Sequence, residues 1–351
     1  MPGSQQANRL VAIDPLQYPD WDSLLARHPQ NCFFHGTAWA RVLYETYGHR
    51  PFYFCRFSNG QLEEMLPVME VSSPLTGRRG VSLPFTDFCS PLPSGNNDQK
   101  GIYSVAMDYG RENHWRYLEC RSGNRSWPGA TPSMTFYGHV IDLNQVSESL
   151  FKNFDESVRR GVRKAEKAGV QIEFSDNLES IQTFYSLHCQ TRHRHGLPPQ
   201  PFRFFKNICK HVLAEGRGFV ATARLGHQPV AASVFFHDQR QSLYKFGASA
   251  YSFQHLRPNN LLMWAAIKQC AGRGFEYLHL GRTSLANDGL RRFKLGFGAR
   301  EEKIEYFKYD FVKQSFVTDV DRAESWVNRI FRCLPMPLLR LAGQMLYPHL
   351  S

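Results

Sequence analysis

The chain has 351 residues and carries 42 lysines and arginines against 31 acids, a formal net charge of +11. Its apolar content of 42%, with 14% aromatic residues, excludes a disordered chain, and its length predicts about two domains of roughly 150 residues. Residues 1–147 hold 12 basic and 13 acidic side chains, residues 148–315 hold 26 and 15, and residues 316–351 hold 4 and 3, which excludes a uniformly basic coat and implies an anionic partner for the middle segment.

The start, Met1 to Asn8, has no basic stretch leading into an apolar run, and no apolar stretch reaches the ~18 residues of a membrane span, so a cytoplasmic protein is expected. Helices are predicted at Trp21–Ala26 and Thr37–Tyr47, then a hairpin of 52–57 and 62–71 around Asn59-Gly60, whose residue types accept the positive φ of a tight turn. From Pro74 to about Gly101 the chain is rich in proline, glycine, serine and asparagine and reads as a long loop, followed by strands at 117–121 and 135–142. The second segment opens with a basic helix over 154–168 that stops at Gly169, then a strand (170–174) and two helices (178–193 and 202–215). A hairpin follows, in which Phe219, Ala221, Ala223 and Leu225 share one face of 219–225, with 230–237 as its partner. Next come a strand (243–247), a helix (260–271) with Leu262, Ala265, Ala266 and Cys270 on one face, a strand (277–281), a short helix (289–295) and a strand (303–311).

Strand, two helices, a three-strand meander, helix, strand, helix, strand is an order that resembles the GNAT acyltransferase fold. Five ordered motifs sharpen the resemblance to its FemAB-type branch: 158–170, Thr191 to Pro198 with Gln200-Pro201, Tyr244-Lys-Phe-Gly-Ala248, Arg257-Pro-Asn-Asn-Leu-Leu262, and Gly281-Arg-Thr with Gly289 to Lys294. The resemblance implies an α/β (α+β) protein of two tandem GNAT-like domains, each a mixed sheet flanked by helices. The first, 1–147, is degenerate and matches loosely at Leu83 to Leu92; the acyltransferase domain is 148–315, and a helical amphipathic tail spans 316–351. It also implies transfer of an acyl or aminoacyl group to an amine of a cell-envelope precursor, as in peptidoglycan bridge formation. No tightly bound cofactor is implied; the donor is aminoacyl-tRNA or acyl-CoA as co-substrate. Two alternatives stand beside this: a CoA-dependent N-acyltransferase of exopolysaccharide synthesis, and a non-catalytic phosphate- or RNA-binding protein on the same fold.

Each candidate site residue has a chemical reason. Arg159, Arg163 and Lys167 lie one helical turn apart and form a basic stripe suited to tracking phosphates. Arg194, in Thr-x-x-Arg-x-Gly, corresponds in the family to an acceptor phosphate site, equally readable as a helix cap. Tyr244 and Lys245 lie on one lip of the donor slot, where strand alternation sends one inward and one outward; they are the catalytic candidates, the base being unidentified. CoA-using members hold pyrophosphate with a glycine-rich turn into a helix, whereas Tyr251–Asn260 contains no glycine. Arg257, Asn259 and Asn260 are its polar groups, with Asn259 or Asn260 expected as helix cap and Pro258 in the first turn. Arg282, Arg291, Arg292 and Lys294 follow the next strand and are further phosphate candidates.

No metal site is expected: His193 and His195 do not share a helical face near His188 and Cys189, and the eight cysteines never stand as Cys-x-x-Cys. The tail from Trp326 is apolar with Arg329, Arg332 and Arg340. It reads either as docked on the protein or as a peripheral contact with the inner face of the membrane, and Pro335 and Pro337 break any long helix.

Overall fold

Turn chemistry sets the first sheet. The computed structural model describes residues 10–93, 100–123, 127–319 and 326–350. After β1 (Leu10–Ile13) and α1 (Trp21–Ala26), α2 (Thr37–Tyr47) ends where Gly48 adopts φ +74°, a left-handed turn that glycine takes without steric cost. β2 (Arg50–Ser58) folds back into β3 (Gln61–Ser73) through Asn59 and Gly60, both at positive φ, as a two-residue hairpin requires.

The segment read as a long loop is partly a strand. β4 (Gly77–Val81) pairs antiparallel with β3, and parallel with β5 (Tyr117–Arg121) after the crossover helix α3 (Lys100–Glu112). Its Gly-Arg-Arg-Gly-Val sequence hides the strand. Arg79 is buried and donates to Thr76 Oγ1 (2.6 Å) and to the His349 carbonyl (2.7 Å), while Gly80 leaves room for the ring of Trp115. The core of this sheet gathers Phe54, Leu66, Val68, Trp115 and Leu118.

The second sheet begins at β6 (Met134–Asp142), followed by α4 (Ser147–Lys152), α5 (Glu156–Lys167), β7 (Val170–Ser175), α6 (Leu178–Arg194) and α7 (Phe202–Ile208). Then come β8 (Gly218–Leu225), β9 (Gln228–His237), β10 (Gln241–Ser249), α8 (Pro258–Gly272), β11 (Tyr277–His279), β12 (Thr283–Ser284) and α9 (Asp288–Leu295). β13 (Arg300–Asp310), β14 (Ser315–Phe316), α10 (Trp326–Cys333) and α11 (Met336–Leu346) complete the chain. The strand order is β1-β2-β3-β4-β5-β13 among the strands described first and β6-β11-β10-β9-β8-β7 among these. The chain divides into one unit of residues 1–136, 303–321 and 347–351 and another of 137–302 and 322–346.

In the second unit the predicted face of β8 packs on the α5–α8 side, where Phe219, Ala221 and Ala223 join Val158, Val162, Phe235 and Leu262, while Val220 and Thr222 of the opposite face are buried as well and Leu225 is half-buried. On the α6–α7 side, Phe184, Phe204, Phe205 and Phe236 pack around Phe246. α8 departs from the single-faced helix expected. Leu261, Leu262, Met263 and Trp264 are all buried in succession, because Phe151 and Phe154 cover its outer side through Trp264.

Candidate functional site

The slot is written in the strand pairing. β10 and β11 run parallel only from Gln241↔Tyr277 to Leu243↔His279; β10 then continues along β9 as far as Ser249, while β11 ends and the chain turns at Leu280–Arg282. Two parallel neighbours that stop pairing while one continues leave backbone unclaimed on the continuing strand. At that point β10 also bulges. Tyr244 faces Phe235 and Phe246 faces Val234, so Lys245 is the extra residue with no opposite number on β9.

The bulge changes the alternation expected of Tyr244 and Lys245. Tyr244 turns onto the α8 side, its ring 5.5 Å from Phe235 and its hydroxyl lying where a side chain on Gly247 would stand. Burial raises its pKa, opposed by a hydrogen bond with Ser233. Phe246 faces the aromatic cluster on the other side, and Lys245, half-buried, sets its ammonium 5.4 Å from the Phe246 ring.

The C-terminal end of β10 is tied to α6. Thr191 exchanges two hydrogen bonds with the backbone of Ser249, accepting from its N–H (3.1 Å) and donating to its carbonyl (3.3 Å). Arg194 donates to that same carbonyl (3.3 Å) and lies 5.6 Å over the ring of exposed Tyr251. Arg194 is therefore at the mouth of the turn leading into α8, and not merely capping its own helix.

That turn differs from the expectation in one respect. Neither Asn259 nor Asn260 caps α8: Pro258 is its first residue, and the cap position is Arg257, held in the left-handed region at φ 62°. The Asn260 N–H is spent on the Arg257 carbonyl (3.0 Å), and its side chain fills the space over Gly161 of α5, where a Cβ would come within 2.9 Å. Asparagine here is a packing residue, because a helix starting on proline is already preorganised and lacks one of the N–H groups a cap would satisfy.

The four cations after β11 divide. Arg291 is claimed by Glu301 in a bidentate pair (2.7 and 2.8 Å) and stacks 4.3 Å over Tyr137. Arg292 is exposed and Arg282 half-buried. Lys294 is 3% exposed, and its ammonium donates to the carbonyls of Gly281 (2.8 Å) and Arg282 (2.9 Å). On α5, Arg159 is half-buried while Arg163 and Lys167 are exposed, on the side opposite buried Val158, Val162 and Ala165. The structure thus brings Lys245, Arg194 and Arg257 to β10 and its continuation, and leaves Arg163 and Lys167 on an outer helix face.

Sequence reasoning missed a buried polar cluster beside Lys294. His139 on β6 is fully buried, with Nε2 3.4 Å from the Glu301 carboxylate; His279 on β11 sets its Nε2 3.4 Å from Glu302. The Gly281 N–H donates to His279 Nδ1 (3.0 Å), which leaves the proton on Nε2, facing the carboxylate. Burial, then the charge of Lys294, depress His139 to about 4 against the opposing pull of Glu301. Hydrogen bonds from Arg291 and His279 hold Glu301 and Glu302, respectively, below the usual carboxylate range. What the contacts show is positional: Lys294 and His279 grip the Gly281–Arg282 turn where β11 leaves β10. The signal available was Glu301-Glu302 directly after Arg300, inside what proves to be the start of β13.

The first unit holds a strained turn in the run that resembles the family. Leu83 and Phe85 both adopt left-handed φ, 54° and 60°. Buried Arg121, paired with Glu119 (2.9 Å), donates to the Thr86 carbonyl (3.2 Å), and the Tyr306 hydroxyl donates to the Asp87 carbonyl (2.8 Å). Such strain persists only where surrounding bonds over-determine it.

His188 is packed among Phe184 and Phe205, its Nε2 2.9 Å from Gln200 Oε1. Among the described residues no helix is long and apolar enough to cross a membrane.

Residues 152–304 match the acetyltransferase (GNAT) domain family. No curated protein matches the chain. Among solved structures, FemX is similar at a TM-score of 0.69 and 15% identity, over 87% of this chain and 98% of that one. A tandem GNAT protein from the clavulanic acid biosynthesis pathway is similar at 0.56 and 11%, over 86% and 98%. L-PGS from Bacillus licheniformis is similar at 0.54 and 10%, over 96% and 99%. These likenesses are of fold, and they agree with the tandem arrangement of mixed sheets flanked by helices that the sequence predicts.

Proposed function

We propose that this chain, a GNAT acyltransferase through residues 152–304, transfers an aminoacyl or acyl group to an amine of a cell-envelope precursor. The observation that carries the choice of donor is the turn into α8. It has no glycine, starts its helix on proline and puts Arg257 where a glycine would let backbone N–H groups close on a pyrophosphate. A phosphate met there meets side-chain cations, which favours aminoacyl-tRNA over acyl-CoA. The acceptor amine must reach the parted ends of β10 and β11, where the bulge at Lys245 supplies donors for the oxyanion of a tetrahedral intermediate. Fold likeness to FemX and to L-PGS supports an envelope acceptor.

The second reading, acyl-CoA as donor and a polysaccharide amine as acceptor, draws on the matched family and on the likeness to a tandem GNAT protein. Purified protein incubated with charged tRNA pools or with acyl-CoA, and with lipid-linked precursor or amino-sugar polymer, separates the two by mass. A gain of one amino-acid residue supports the first reading and an acyl gain the second. No transfer, with salt-sensitive RNA binding, refutes both in favour of a non-catalytic binder. Stabilisation by acetyl-CoA that grows with the logarithm of its concentration would count against the donor assignment.

A further inference from the structure

The C-terminal helices have two opposed faces with different uses. α10 and α11 are held onto the second unit by close backbone approach. A Cβ on Gly196, at the end of α6, would collide with the Asn328 carbonyl of α10, and one on Gly343 of α11 would collide with the Pro199 carbonyl. Leu339 is buried beside Gly343, and Arg340 lies 4.9 Å over the ring of Tyr185. This face is a docked one.

The other face is apolar and open. At 100° per residue, Leu338, Leu341 and Met345 form one stripe on α11, centred nearly opposite Leu339 and Gly343. They are 52%, 50% and 64% exposed, against the buried side chains one would expect if the stripe had a partner within the chain. Ile330, 50% exposed, occupies the outward side of α10 with Arg329, Arg332 and Cys333, all exposed. From 326 to 350 the sequence holds three arginines and no acid.

We propose that this face docks on an anionic lipid bilayer. The charge decides between occupants: two helices that carry arginines and no carboxylate of their own cannot offer a second copy of themselves the opposite charges that a self-complementary contact would pair. Anionic headgroups complement it directly, with leucine and methionine entering the acyl boundary while the guanidiniums stay at phosphate level. Pro335 suits this use, since it parts two short helices that lie on a surface where one long rod would project. The inference is independent of the acyl-transfer reading, being read by partition and not by activity.

The test uses the full chain with vesicles of phosphatidylcholine and phosphatidylglycerol at 7:3, and of phosphatidylcholine alone, in co-sedimentation at low and high salt. The wild type is expected to pellet with the anionic vesicles and to be released by high salt. Leu338→Ser with Leu341→Ser and Met345→Ser should weaken partition by at least about 100-fold. Arg329→Gln with Arg332→Gln should weaken it by about 30-fold on anionic vesicles alone. All five sites are exposed, so thermal unfolding should be unchanged and reports whether a variant is folded. As a second readout on the wild type, a polarity-sensitive dye on Cys333, the exposed cysteine of the eight, should shift to the blue with anionic vesicles. Wild type remaining in the supernatant at low salt, an unshifted dye, or undiminished partition of the triple variant overturns the proposal. So does a two-chain mass in solution that falls to one chain in the triple variant, which would assign the face to a second copy.

Discussion

Replacing Lys294 with methionine tests how the turn after β11 is held. The ammonium is buried and serves two carbonyl oxygens, so its removal leaves the Gly281 and Arg282 acceptors without that donor, a cost of about 1–3 kcal/mol for each one that water cannot reach. It also removes the positive charge that helps depress His139. That residue's displacement from 6.5 to about 4 corresponds to about 3 kcal/mol between protonation states, with burial the first cause and Lys294 the second. The sign follows from linkage. As pH falls from 6.5 the unfolded chain takes up the proton first, so His139 withdraws stability progressively down to about pH 4, and little more below it. At pH 5 the loss is roughly 2 kcal/mol. In Lys294→Met the His139 pKa should rise, narrowing that window, while Glu301→Gln should lower it further. Titration of the histidine ring signals by NMR reads both shifts, and urea unfolding at pH 7 and pH 4.5 reads the consequence. A His139 pKa unchanged in Lys294→Met would refute the electrostatic account, and an unchanged kcat would refute the positional one.

Arg121→Met leaves Glu119 buried without its partner and frees the strained turn at Leu83–Phe85; a loss of about 3–5 kcal/mol in chemical denaturation is expected, and a loss under 1 kcal/mol would show that the turn holds itself. Gly247→Val intrudes on the Tyr244 hydroxyl and should cost about 1–3 kcal/mol by overpacking while lowering kcat more than it raises KM, if the geometry of the bulge matters to the chemical step. Arg257→Gly relieves a left-handed residue, worth about 1 kcal/mol in thermal stability, yet should weaken tRNA binding; tighter acetyl-CoA binding in this variant would reverse the donor assignment. Arg163→Gln with Lys167→Gln should reduce the salt dependence of RNA binding by a slope of about 2 on logarithmic axes if both touch phosphate, and leave it unchanged if the outer face of α5 is only solvated.

The second unit was legible because its elements obey simple periods. Phe219, Ala221 and Ala223 alternate onto one core, α5 separates its apolar and basic sides, and Gly226-His227 sits where the β8–β9 turn falls. The first unit was legible at the Asn59-Gly60 hairpin and opaque at β4, where a buried arginine and a glycine under Trp115 replace the apolar alternation that marks a strand. At the site, the residues of the slot could be listed but their directions could not. The bulge at Lys245 shifts the pleat by one residue, and nothing in Tyr-Lys-Phe-Gly announces it. The cluster of His139, His279, Glu301 and Glu302 was invisible for another reason: it draws on three strands, β6, β11 and β13, far apart in sequence.

The basic excess of residues 148–315 changes meaning once its members are placed. Arg291 answers Glu301, Arg240 answers Glu276 and Arg224 answers Glu173, while Lys294 is turned onto backbone carbonyls. Charges so committed shape the fold and contribute little to an outside potential. On the proposed reading the cations open to an external phosphate are fewer: exposed Arg257 and half-buried Arg194 beside the end of β10, exposed Arg292 on α9, and exposed Arg163 and Lys167 on the outer side of α5. A pyrophosphate bound by a glycine turn is gripped by fixed N–H groups at short range. Long side chains spread over a turn and a helix face instead suit a larger polyanion, whose many phosphates each gain little from any one of them. The tail is a different setting: residues 326–350 hold three arginines and no acid, with Arg329 and Arg332 exposed on α10 beside exposed Ile330 and Arg340 stacked over Tyr185, so that the chain presents cations in two surroundings, one polar and one apolar.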